Sequence, residues 1–281
     1  MSLRKPRSFD SPLQYDKTNT PTSAITSTTT SIHAPTNIAI LSLAVALIPA
    51  FVFWVGRRER LGLPALIPNS LWRNKVFTTI CLCVFLTWGS FNCLEQMLTF
   101  YFQLVQHKSA LQTALQFLPE PVSGIICNVA IGLFVHRVRG DVIVGAATAL
   151  SCISPLLMAV ASPKWSYWAA AFPAVVIVPV GSDSLFTISN LVITSQFPGN
   201  TQGLAGGVFN TVSQVGKSVG LALGAVIANT VTATATGTTE EELLLRGYKA
   251  TFWFCLALNV TTLVLGLWGL RTIGKVGLKR D

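Results

Sequence analysis

Charge is what this chain has least of. Asp, Glu, Lys and Arg make up 11% of its 281 residues, where a soluble globule carries roughly 25%. The deficit excludes a water-solvated domain of ordinary composition. Histidine is down to three, and no HExxH pair, GxSxG elbow or pair of catalytic carboxylates occurs, so nothing points to an enzyme. Six cysteines are present, but Cys81, Cys83, Cys93, Cys127, Cys152 and Cys255 all fall within apolar stretches. None forms a CxxC pair in a loop, which leaves neither a metal site nor a disulfide framework and reads as six free thiols. No cofactor is expected.

Apolar sequence fills the space. Hydrophobic residues reach 51%, the mean hydropathy is +0.57, and the apolar runs are long. Those near 37–56, 77–103, 119–135, 142–161, 166–196, 203–231 and 250–270 suit bilayer spans, each of which needs about 20 residues at about 1.5 Å rise. The fold class expected is an all-α membrane protein of seven transmembrane helices, embedded in a lipid bilayer. The net charge of +9 is not a nucleic-acid footprint, because the basic residues lie between the runs and at the ends.

Those basic residues also orient the chain. The 57–75 loop, the 136–141 turn and the tail together hold eleven Lys and Arg, against four in the opposite connections. By the positive-inside rule the C-terminus is cytoplasmic; four more basic residues in the head narrow the ratio to eleven against eight. Residues 1–35 mix Arg4, Lys5, Arg7 and Lys17 with Asp10 and Asp16 ahead of a Ser/Thr-rich stretch, and read as a disordered polar head. The organisation expected is this head, a first helix at 36–56, a basic cytoplasmic loop at 57–75, six helices over 76–271 and a basic tail at 272–281.

Ionised groups in mid-bilayer are functional pointers, since each costs about 2.5–3.5 kcal/mol on insertion scales. Asp183 follows Pro179 and Gly181, where a helix lacks an amide proton and bends. Thr187, Asn190 and Thr194 recur beyond it at steps of four, three and four, on Asp183's face. A polar stripe on a broken helix is how transporters line a path; a paired structural carboxylate is an equal alternative. In the 203–231 run, Asn210, Gln214 and Lys217 share one face. Gly216, Gly220 and Gly224 form a small-xxx-small groove beside it. Lys217 has three readings: an ion pair with Asp183, a counter-charge for substrate, or snorkelling. Glu95, with Gln96 and Gln103, is a candidate proton site or an interfacial carboxylate. Gly124, Asn128 and Gly132 at four-residue spacing read as a packed helix contact with one interhelical amide bond. Arg137, in the basic turn 132–141, is a topology signal or a gating charge.

Certain stretches carry a family likeness. They are Pro64-Ala-Leu-Ile-Pro68-Asn-Ser-Leu-Trp72-Arg73-Asn74, Ser109 to Pro119, Gly124-x-x-x-Asn128-x-x-x-Gly132, Ser154 to Ala159, Asp183 to Asn190, and Leu204-Ala-Gly-Gly-Val-Phe-Asn210 through Gly220-Leu-Ala. The last is the most specific. From about residue 36 to 272 the chain resembles the C-terminal half of a major facilitator superfamily transporter, of the fungal 14-span drug:proton antiporter branch with aminotriazole-resistance and low-affinity ammonium members. The 132–141 turn is similar to the superfamily's basic loop motif, Gly-x-x-x-Asp-Arg-x-Gly-Arg; Gly132 and Arg137 match, and His136 replaces the Asp.

The resemblance implies one extra helix plus a six-helix half-bundle, and proton-coupled antiport of a small solute or drug. Small-molecule substrate and protons are the implied partners, with a missing N-terminal half or a second copy needed to complete the cavity. It places the chain in the plasma membrane, or alternatively the vacuolar membrane. A heptahelical receptor is the competing reading, weakened by the absence of Asp-Arg-Tyr, Asn-Pro-x-x-Tyr and loop cysteines.

Overall fold

The computed structural model describes residues 69–271, except Thr238, together with the helical positions 42, 46, 50, 53, 54 and 57. The chain divides into units 1–50 and 51–281, and the account below concerns the second. Most of the expected 36–56 helix and of the 57–75 loop, the head and the tail lie outside the described residues.

Within them the secondary structure is helical, and six stretches are long and apolar enough to span a bilayer. The first is α1 (Lys75–Phe100) with a π-helical turn, Tyr101–Val105. The second joins α2 (Ala110–Phe117) to α3 (Pro119–Phe134). The third joins α4 (Gly140–Ser151) to α5 (Ile153–Val160). A short 3₁₀ turn, Tyr167–Ala169, leads into α6 (Ala171–Gln196), and α7 (Gly199–Thr234) and α8 (Glu240–Gly269) complete the set.

Local chemistry sets the ends. The Asn74 side chain accepts hydrogen bonds from the Val76 and Phe77 amides at 3.0 and 3.2 Å, capping α1. Ser109 and Gln112 form a reciprocal capping box at the start of α2. Two expected boundaries move. The run anticipated at 119–135 begins at Ala110, because Pro119 occupies the first position of α3, where its missing N–H costs nothing, and the chain stays helical through it. The Thr/Glu-rich connection expected over 231–249 shrinks to five residues. Glu240, Glu241 and Glu242 occupy the first turn of α8, where their charges complement the helix dipole.

The tightest packing is between α1 and α7. A Cβ on Gly216 would strike the Phe85 backbone, one on Gly220 the Gly89 backbone, and one on Gly224 the Cys93 sulfur. Lipid offers no hydrophobic drive for helices to associate, so such backbone-to-backbone contact supplies the dispersion energy instead. Above it lies a core of Phe77, Ile80, Leu185, Ile188 and Phe209 from α1, α6 and α7. Hydroxyls tie the remaining helices: Ser90 donates to the Cys255 carbonyl at 3.1 Å, Thr251 to Gly224 at 3.3 Å and Ser154 to Ala174 at 2.8 Å. Gly132, in contrast, has nothing within 4 Å of a built Cβ, so it makes no close helix contact among the described residues.

Gly220→Leu is expected to destabilise the bundle by about 2 kcal/mol or more through overpacking. Gly207→Ala, with open space around its Cβ, is expected to stay within about 0.5 kcal/mol. Unfolding midpoints in mixed detergent distinguish the two; equal midpoints would remove the α1–α7 glycine contact as a stability determinant.

Candidate functional site

Asp183 sits half-buried on α6, four residues past Pro179. Asn128 of α3 donates to its Oδ2 at 3.2 Å and to the Gly124 carbonyl at 3.0 Å, and accepts from Thr187 Oγ1 at 2.8 Å. One amide therefore links α3 to two successive turns of α6. Gly124 permits the approach, since a Cβ there would lie 2.9 Å from Asp183 Oδ2. The four-residue spacing of Gly124 and Asn128 is what aligns the notch and the donor.

These residues wall a cleft of about 470 Å³ between α1, α3 and α6. Phe91, Pro121, Ile125, Val129 and Pro179 give its apolar surface, and Glu120, Asn128 and Asp183 its polar groups. An apolar cleft with a few convergent polar groups is the usual form of a small-molecule site. Glu120 is a site residue that sequence reasoning missed. It lies in the first turn of α3, flanked by Pro119 and Pro121. It lines the same cleft as Asp183. The Pro-Glu-Pro signal was present, but only the fold brings it to Asp183.

Lys217 does not meet Asp183. Among the described residues the ion pairs are His107–Glu241 at 2.7 Å and Arg139–Asp141 at 2.9 Å. The Lys217 ammonium instead lies 4.3 Å from the centroid of the Trp88 ring, a cation–π contact between α7 and α1, within electrostatic reach of Glu95. The expected ion pair fails because Asp183 faces α3, whereas the Lys217 side chain reaches across to Trp88 of α1. Glu95 is half-buried on α1 and does not line the Asp183 cleft.

The other candidates scatter. Asn190 bonds its own helix, donating to the Phe186 carbonyl at 2.9 Å. Asn210 and Gln214 are exposed on α7; Asn210 donates to Gly206 at 3.0 Å. Arg137 is exposed in the turn after α3, where Arg139 rather than Arg137 makes the ion pair. At the opposite end of the bundle, Lys108 lies over the Phe102 and Tyr167 rings at 5.5 and 5.8 Å, and burial there pushes its ammonium below the usual lysine range.

Stacked apolar helices around a polar-edged cleft define a multi-pass integral membrane protein. Residues 36–221 match the Major Facilitator Superfamily, and the chain belongs to that family. It is 42% identical to MFS-type transporter 1 of Pyricularia oryzae over 87% of this chain and 43% of that protein. It is 24% identical to the aminotriazole resistance protein of Saccharomyces cerevisiae over 82% of this chain and 41% of the relative. With efflux pump terJ of Aspergillus terreus it shares 26% identity, over 57% of this chain and 30% of the pump. The chain thus spans less than half the length of these relatives. Membership of this superfamily leaves the heptahelical receptor alternative without support.

The Asn128–Thr187 contact is expected to couple by about 0.6 kcal/mol, the mean for hydrogen bonds between membrane helices. A double-mutant cycle with Asn128→Ala and Thr187→Val, read by unfolding in detergent, checks this. Strictly additive effects would mean that the amide bridge contributes nothing.

Proposed function

We propose that this chain forms the second half of a secondary transporter that moves a small solute or drug across the membrane, coupled to protons as an antiport. The observation that carries the reading is Asp183. It is a carboxylate at the middle of an apolar span, one turn past a proline inside the helix, on the wall of a cleft, and fixed by an amide from the facing helix. An ionisable group is kept in such a place at a cost, and the usual return is a substrate or proton path. Relatives named as an efflux pump and a resistance protein support the same class. In this reading Asp183 and Glu120 meet substrate, Glu95 exchanges the proton, and Lys217, held on Trp88, supplies a countercharge. Asn190, Asn210 and Gln214 extend the polar wall. Group-transfer chemistry plays no part.

The exposed faces indicate what completes the cavity. Asn210, Thr211, Gln214 and Ser218 are exposed together on α7, and lipid is a poor solvent for amides and hydroxyls. α2 and α3 are also the least buried span. A second helical bundle fits these faces, from a preceding half or another copy. The tail is assigned to the cytoplasm by its charge, in a plasma or vacuolar membrane, with Arg137 in the inward turn between α3 and α4.

The test joins this chain to the first half of its 42% identical relative and measures flux in vesicles under a proton gradient. Asp183→Asn is expected to lower coupled flux at least about ten-fold, a step of about 1.4 kcal/mol, with the unfolding midpoint retained. Undiminished flux in that variant would remove Asp183 from the mechanism.

A further inference from the structure

Helix α6 runs unbroken through Pro179, which has no N–H to donate to the Val175 carbonyl four residues back. The next turn is unusual as well. Ser151, the last residue of α4, is buried, and its hydroxyl accepts from the Gly181 N–H at 2.7 Å while donating to the Ile177 carbonyl at 3.4 Å. Ile177 and Gly181 are the pair that an uninterrupted helix joins directly, i to i+4. A side chain from a neighbouring helix therefore stands on a rung of the α6 ladder, an identified cause of helix bending.

Two features make this a fitted joint. Residue 181 has to be glycine, because a Cβ there would collide with the Ser151 Oγ and Cβ. Ser151 is itself braced: its carbonyl accepts from the Asn259 side chain of α8 at 3.5 Å. One hydroxyl thus reports the positions of α4 and α8 to the turn that immediately precedes Asp183.

We propose that Ser151 is a positioning residue for Asp183. Its hydroxyl bridges Ile177 and Gly181 across the proline turn, and this bridge sets the direction in which α6 carries Asp183 into the cleft. The role rests on the reading of Asp183 as a pathway residue, and Ser151 acts through the α6 backbone without touching substrate. Movement of α4 or α8 during transport is transmitted to Asp183 by this bridge.

The experiment uses the full chain in lipid nanodiscs. Two site-resolved quantities are measured: hydrogen exchange of the Gly181 amide, and the rate of dicyclohexylcarbodiimide labelling at Asp183, with Glu95 and Glu120 as internal references on α1 and α3. Ser151→Ala is expected to accelerate Gly181 exchange about ten-fold, the size of one neutral hydrogen bond. It is also expected to change Asp183 labelling at least two-fold while the two glutamates keep their rates. Gly181→Ala, which expels the same hydroxyl without altering Ser151, is expected to reproduce the labelling change. A purely structural serine would move all three carboxylates together or none, and either result overturns the proposal, as does unchanged Gly181 exchange. The two readings fail separately: if Asp183→Asn leaves flux intact while Ser151→Ala still shifts Asp183 labelling, the hinge stands and the pathway role falls.

Discussion

Hydrocarbon gives no hydrogen bonds, and the rest of this structure follows from that constraint. Every amide, hydroxyl and carboxylate held away from water must find its partner in protein or incur several kcal/mol. Helices satisfy the backbone. Most buried hydroxyls bond a nearby carbonyl, as Ser90, Ser154 and Thr251 do, and a smaller polar set gathers at the cleft. Thr87 Oγ1, Trp88 Nε1, Gln116 Oε1 and Ser189 Oγ stay buried without a partner among the described residues. Asn128 belongs to the second set, with its amide fully used on Asp183, Gly124 and Thr187. Such a network is costly to break and therefore holds α3 to α6.

Rigid and deformable parts of the bundle are set by different residues. Between α1 and α7 the glycines bring backbones into contact, with Gly89 and Phe85 lying against Gly220 and Gly216. That seam leaves no volume for a larger side chain. The deformable element is α6, where Pro179 removes one rung of the ladder and Ser151 stands on another. A carboxylate placed two residues beyond that joint is carried by the part of the structure best able to reorient.

Much of this was legible in the residues. The spans from Lys75 to Gly269 followed from run length, the close-packing groove of α7 from Gly216, Gly220 and Gly224, and the prominence of Asp183 from its position after Pro179. Glu120 was not, because Pro-Glu-Pro reads as a boundary when nothing shows that the helix continues through Pro119. Nor was the partner of Lys217. Opposite charges in one membrane suggest an ion pair, yet a ring 4.3 Å away on α1 holds the ammonium while Asp183 turns to α3. Ser151 gave no signal at all, since one serine among many in apolar helices looks like packing.

The sequence by itself determined the solvent and the helices, because hydropathy over about 20 residues is a sum of independent transfer energies that needs no knowledge of neighbours. It also determined which few residues were too polar to face lipid. Only the tertiary structure decided whom those residues meet. Rotation of each helix about its axis is fixed by packing against the others, and a turn of 100° moves a side chain to a different partner. That is why Asp183 could be singled out from the sequence, whereas Asn128 and Glu120 became its neighbours, and Ser151 came to bond the turn before it, only in the folded bundle.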